Sequence, residues 1–119
     1  MINTGQVNTQ GFMHISILYN EGMIEAGDME VQSFMECTGT IHCTGQFSNG
    51  ELPGAGAGST LNGGVIRTND FINIAGSTLQ GLGTICIIGQ SENHGYIGPM
   101  VVCDASLDVV ARHHADGAV

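Results

Sequence analysis

Apolar and polar positions alternate after a glycine that recurs along the chain. The recurring glycines are Gly5, Gly22, Gly39, Gly64, Gly83 and Gly98, and the second residue after each is apolar: Val7, Ile24, Ile41, Ile66, Ile85 and Met100. The third residue is mostly polar: Asn8, Glu25, His42, Arg67, Cys86 and Val101. An inward residue followed by an outward one is typical of a half-buried β-strand. The steps from 5 to 22 and from 22 to 39 are each 17 residues, which predicts stacked units that we call rungs.

This pattern predicts a single β-solenoid domain over residues 1–110. The expected six rungs are residues 1–20, 21–38, 39–63, 64–82, 83–97 and 98–110. The third is longer, and we assign its extra length to a loop insertion at 52–59, where Leu52-Pro53-Gly54-Ala55-Gly56-Ala57-Gly58-Ser59 offers little side chain to bury. Residues 111–119 are predicted to be a flexible C-terminal tail.

The predicted fold class is all-β, a right-handed parallel β-helix whose glycines stand at corners that need positive φ. The alternative is an antiparallel β-sandwich or barrel, which also has short strands and glycine turns at regular spacing. The recurrence of the same side-chain types at the same offset favours stacking over the sandwich.

The chain is strongly acidic, and this narrows its expected partners. It has 11 Asp and Glu residues, no Lys, and only Arg67 and Arg112 as basic residues, for a net charge of −9. Such a surface repels phosphate backbones, so nucleic acid is not an expected partner. Neither a membrane span nor a signal peptide is evident, so we expect no transmembrane segment and a cytoplasmic location, in solution or at a membrane. If the chain is a fragment, the alternative is a secreted or cell-surface protein.

Reactive side chains are present, but no spacing groups them into a site. The sequence contains no Cys-x-x-Cys motif, and the adjacent His42 and Cys43 would point to opposite sides of a strand. We therefore expect the cysteines to be reduced, mostly buried structural thiols. Gly54-x-Gly56-x-Gly58 lacks the strand and helix of a phosphate-binding loop. We therefore predict no catalytic, cofactor or metal site. The residues weighed were Cys37, Cys43, Cys86 and Cys103, His14, His42, His94, His113 and His114, and the acid pairs Glu25/Asp28 and Asp104/Asp108.

Two protein families resemble parts of this pattern. Gly22-Met23-Ile24-Glu25-Ala26-Gly27-Asp28-Met29-Glu30-Val31, followed by Gly39-Thr40-Ile41-His42-Cys43, resembles the bactofilins, polymer-forming bacterial cytoskeletal proteins. That resemblance covers about residues 5–88 and implies a cytoskeletal scaffold. Asn3-Thr4-Gly5 and Asn62-Gly63-Gly64 resemble secreted β-helices of the filamentous-haemagglutinin type.

The expected function is that of a non-enzymatic structural protein that self-assembles into filaments or oligomers. No polar capping repeat is evident at either end, and an uncovered end strand is a template for further pairing. The chain itself is thus the expected partner. The expected contacts are Phe12, Ile15 and Ile17 at one end and Val101, Leu107 and Val109 at the other. The alternative is a fragment of a secreted β-helical adhesin or surface-binding protein.

Overall fold

The chain winds into a parallel β-solenoid. The computed structural model describes residues 1–51 and 57–103, and within them every strand pair is parallel and no helix occurs. The predicted all-β solenoid is confirmed, and the antiparallel alternative is wrong. The strands are β1 (Ile2–Asn3), β2 (Gln6–Asn8), β3 (Phe12–Asn20), β4 (Met23–Ala26), β5 (Asp28–Cys37), β6 (Thr40–Asn49), β7 (Ser59–Asn62), β8 (Val65–Asn73), β9 (Thr78–Gln80), β10 (Thr84–Ile87), β11 (Ser91–Asn93), β12 (Tyr96–Ile97) and β13 (Val101–Cys103).

The strands stack into three ladders, which we call faces A, B and C. After β1, which belongs to face C, the chain visits them in that order. Face A contains β2, β4, the first halves of β6 and β8, β10 and β13. Face B contains the first halves of β3 and β5, the second halves of β6 and β8, and β11. Face C contains β1, the second halves of β3 and β5, β7, β9 and β12. The described residues make about five turns, with β13 as the start of a further rung, in keeping with the predicted five rungs and a shorter sixth.

The apolar positions of the repeat form the core, as predicted. Ile24, Ile41, Ile66 and Ile85 lie in register on face A and are at most 1% exposed. Burying such a side chain contributes about 1.5–3 kcal/mol, so this column is a main source of stability. The last rung departs from the prediction, because Val102 and not Met100 pairs with Ile85. Met100 and Val102 are two residues apart, so both can point inward in a strand that alternates with period two. Alternation alone therefore could not distinguish the two registers.

The repeat glycines are needed for close stacking rather than for positive φ. A Cβ atom at Gly22, Gly39, Gly64 or Gly83 would collide with the carbonyl oxygen of the repeat glycine one rung earlier. Positive φ occurs instead at Gly50, Gly76 and Gly81 within the described ranges. The corner prediction was therefore correct about the need for glycine and wrong about its cause.

The predicted insertion ends inside the solenoid. Ser59 is the first residue of β7, and the Gly58 N–H donates a hydrogen bond to Ser77 Oγ at 2.9 Å. The Gly58 carbonyl accepts from the Thr78 N–H at 3.0 Å. Gly58 and Ser59 thus belong to the stack, while residues 52–56, most of the predicted loop, and the predicted tail at 111–119 lie outside the described residues.

Buried asparagines line two of the corners. In the first column, Asn3 Nδ2 donates to Asn20 Oδ1 at 2.9 Å, and in the second Asn49 Nδ2 donates to Asn73 Oδ1 at 2.9 Å. Both amides also donate to a backbone carbonyl of the following rung, Asn3 to Met23 at 3.1 Å and Asn49 to Thr78 at 2.8 Å. Buried polar groups need such partners, so the columns satisfy the backbone where the chain turns. The columns are Asn3, Asn20, Cys37 and Asn62 at the corner between faces C and A, and Asn49, Asn73 and Asn93 at the corner between faces B and C.

Candidate assembly surfaces

The N-terminal rung has an uncovered strand edge. Strand β2 pairs only with β4, and the Phe12–Ile15 half of β3 pairs only with β5 among the described residues. Backbone N–H and C=O groups along such an edge can pair with another strand. The core also reaches this end, because Val7 and Met13 pack against it while remaining half-buried. The edge therefore combines hydrogen-bonding groups with apolar surface.

The structure places the predicted contact residues in different environments. Phe12, Ile17 and Val101 are exposed at 53%, 51% and 59%, the first two in the N-terminal rung and Val101 in the last strand. Ile15 is 3% exposed and packs in the core, so its side chain offers little surface to a partner. Leu107 and Val109 lie outside the described residues.

An apolar patch on face C adjoins the N-terminal edge. Ile2 is 74% exposed and pairs in register with Tyr19, which is 43% exposed. Ile17 pairs with Phe34, and the Tyr19 and Phe34 rings lie 5.7 Å apart. Sequence analysis missed Ile2, Tyr19 and Phe34, although Ile17 and Tyr19 alternate with the inward Leu18 and Asn20. That alternation was the signal that could have found them.

At the other end, strands β11, β12 and β13 each pair with one strand only among residues 1–51 and 57–103, namely β8, β9 and β10. The last strand is short, at three residues, and its outward residues are Val101 and Cys103. Within the described part of the chain, this end also presents unpaired strand edges.

The outer surface of face A carries a column of polar and titratable side chains. One such residue from each rung lies in register with the next: Asn8, Glu25, His42, Arg67, Cys86 and Cys103. The His42 Nδ1 and Glu25 Oε2 atoms are 3.5 Å apart, and both side chains are more than 40% exposed, so this contact contributes little stability. A shallow depression of about 420 Å³ beside the column is lined by Met23, Thr40, His42, Val65, Arg67 and Ile88.

Among the described residues, the chemical candidates from the sequence do not converge on one site, although Cys86 and Cys103 pair in register and Glu25 contacts His42. Cys37 and Cys43 are buried, Cys86 is half-buried and Cys103 is exposed. Burial, with the Asp28 charge as a smaller cause, raises the pKa of Cys43 to about 12. Asp28 is part of the rung stack, because its Oδ1 accepts the Gln46 N–H at 2.7 Å. Among the described residues no three His, Cys, Asp or Glu side chains are grouped to hold a metal ion, while Asp104, Asp108, His113 and His114 lie outside them.

Comparison of the chain with protein-family models, curated proteins and solved structures found no match. No helix in the described ranges is long and apolar enough to cross a membrane. The fold and the surfaces of the chain are therefore the basis for a functional proposal.

Proposed function

We propose that this chain is a non-enzymatic structural protein that assembles with copies of itself through its terminal rungs, as the bactofilin-like repeat implies. One observation carries the proposal: the N-terminal rung has the register of the inner rungs but an uncovered outer edge among the described residues. The exposed Phe12 and Ile17 beside this edge add apolar area that a second copy would bury. The alternative of a secreted adhesin stays a prediction.

The glycine column supports stacking as the mode of contact. Inside the solenoid the carbonyl oxygens of Gly5, Gly22 and Gly39 accept the N–H groups of Met23, Thr40 and Val65 at 2.8–2.9 Å. Each inner repeat glycine lies where a Cβ would meet the rung before it, whereas a Cβ at Gly5 would have no atom of the described part of the chain within 4 Å. A second copy stacked on this edge would bring its backbone to that open space.

This difference gives a test that separates assembly from folding. We expect wild-type protein to form species that grow with concentration in sedimentation velocity, and rods in electron microscopy. Gly5→Ala should keep the wild-type circular dichroism spectrum and unfolding midpoint, because its new methyl group would meet no atom of the described residues within 4 Å. It should nevertheless reduce assembly, because the methyl group blocks the approach of a second backbone.

The matched control is Gly63→Ala, since a Cβ there has no neighbour closer than 3.8 Å and Gly63 lies away from the end rungs. It should assemble like the wild type, and Phe12→Arg should assemble less. A wild-type protein that stays monomeric at high concentration would contradict self-assembly. Normal assembly of Gly5→Ala would contradict stacking through the N-terminal edge.

A further inference from the structure

Two cysteines that sequence analysis treated as structural lie side by side on the outside of the solenoid. Cys86 in β10 pairs in register with Cys103 in β13, and both point outward on face A. The inward neighbours of Cys86 are Ile85 and Ile87, which are 1% and 4% exposed. In-register placement on neighbouring strands brings the two thiols close enough for the Cys103 thiol to raise the pKa of Cys86. The pair therefore forms a dithiol at the surface.

The backbone spacing suits a covalent link. Adjacent strands of a sheet lie about 4.8 Å apart. The Cα atoms of disulfide-bonded cysteines are usually about 4.4–6.8 Å apart, so in-register residues on neighbouring strands fall in this range. Cys37 and Cys43, in contrast, are buried at 0% and 1% exposure and are not in register with each other.

We propose that Cys86 and Cys103 form a reactive dithiol that is oxidised to a disulfide by exchange with a low-molecular-weight disulfide such as oxidised glutathione. The inference goes beyond self-assembly and does not depend on it. Its site is the end of the face A column, where Arg67 of β8 lies in register next to Cys86.

The exchange takes place in two steps. The exposed Cys103 loses its proton to solvent, and its thiolate attacks one sulfur of the small disulfide, breaking that S–S bond and releasing one thiolate. The Cys86 thiolate then attacks Cys103 Sγ in the mixed disulfide, forms the protein S–S bond and releases the second thiolate. The two thiolates take up the two protons lost by the cysteines. The protein is oxidised by two electrons and the small disulfide is reduced to two thiols.

The surroundings assign the two roles. Cys103 is exposed and Cys86 is half-buried, so an incoming disulfide meets Cys103 first. Partial burial and the Cys103 thiol raise the pKa of Cys86, and the Arg67 guanidinium opposes this rise. Cys86 is therefore suited to the second, intramolecular step, in which proximity compensates for a small thiolate fraction.

The test uses the full chain and oxidised glutathione, followed by intact mass and non-reducing peptide mapping. Wild-type protein should lose two hydrogen atoms, retain no glutathione, and yield a peptide pair that joins Cys86 to Cys103. Cys86→Ser should instead retain one glutathione on Cys103, because the resolving thiol is gone. Cys103→Ser should react at least tenfold more slowly than Cys86→Ser.

A second readout is hydrogen exchange in β13, the short last strand. Oxidation should slow exchange at Val101–Cys103, because the new bond ties this strand to β10, and dithiothreitol should reverse the change. Stable glutathione on both cysteines of the wild type, a link from Cys103 to Cys37 or Cys43, or disulfide-linked dimers in place of the internal bond would overturn the proposal. Failure of self-assembly would leave all these readouts unchanged.

Discussion

The buried amide of Asn73 shows how single residues hold the corners together. Asn73 is 0% exposed, and its Oδ1 accepts from Asn49. Its Nδ2 donates to Asn93 Oδ1 at 2.9 Å and to the Tyr96 carbonyl at 3.2 Å. One side chain thus connects three consecutive rungs, and its loss would disturb several buried polar groups at once.

We predict that Asn73→Ala lowers the free energy of unfolding by roughly 3 kcal/mol, because buried hydrogen-bonding groups lose their partner. Urea unfolding followed by circular dichroism measures the change. The control is Asn8→Ala, an exposed outward position in β2, which should change stability by less than about 0.5 kcal/mol. Equal effects of the two substitutions would show that the amide column does not stabilise the fold.

Burial of the Cys43 thiol should make the folded state less stable as the pH becomes alkaline. Its pKa rises from 9.0 to about 12 on folding, mainly through burial. The folded state therefore keeps a proton that the unfolded chain loses, so this contribution is complete below pH 9.0 and is lost as the pH rises towards 12. We expect the free energy of unfolding to fall by roughly 1 kcal/mol per pH unit across this window.

The comparison for that prediction is Cys43→Ala, since Ala26 occupies the in-register position one rung earlier. The variant should lose a large part of the alkaline slope, measured by urea unfolding at a series of pH values. If the two slopes coincide, the Cys43 thiol is not the group that titrates.

Among the elements, the face A ladder depends most strictly on glycine. We predict that Gly39→Ala lowers the free energy of unfolding by at least about 2 kcal/mol, because the new Cβ collides with the Gly22 carbonyl and the rungs must separate. Gly63→Ala, in a nearby turn with open space, should change it by less than about 0.5 kcal/mol. Thermal and urea unfolding measure both, and a tolerated Gly39→Ala would contradict the close-approach account.

Much of each element could be predicted from the chain because inward and outward residues alternate with period two. The limits of that reasoning are seen at Ile15 and Ile17. Both were expected to be self-assembly contacts of the terminal rung, but the register shifts between them where the chain passes from face B to face C. Ile15 therefore points into the core while Ile17 points outward. Alternation predicts whether a side chain points inward or outward only within one straight segment. At a corner the register can shift, and the alternation starts again.

The asparagine columns were missed because asparagine is ordinarily a turn residue, and no local rule places its side chain inward. A signal was nevertheless present. Asn3, Asn20 and Asn62 each lie two residues before a repeat glycine. An Asn-x-Gly motif therefore marks the corner between faces C and A in the sequence. Cys37 takes that place in the second rung, where Asn20 Nδ2 contacts its Sγ at 3.7 Å.

At the scale of the molecule, net charge should govern the proposed self-assembly. Each chain carries −9, so contacts between copies bring like charges together. Salt screens such repulsion, over about 8 Å at physiological ionic strength. We predict longer assemblies as salt is raised, and as the pH approaches the sequence pI of 4.5, measured by light scattering and electron microscopy. Gly5→Ala is the control and should respond weakly, whereas assemblies that dissolve in salt would indicate contacts held by ion pairs.

The amide columns also give the solenoid a direction along its axis. Asn3 donates to Asn20, Asn49 to Asn73, and Asn73 to Asn93, so these three amide-to-amide hydrogen bonds all run from an earlier rung to a later one. The side-chain dipoles therefore add along the solenoid axis instead of cancelling. In these hydrogen bonds, the amide oxygens point toward the N-terminal end and the amide N–H groups toward the C-terminal end. Two copies that met through the same end would oppose these dipoles, whereas copies joined head to tail would extend them. In the proposed self-assembly, head-to-tail contacts would therefore give a fibre whose two ends differ and can grow at different rates.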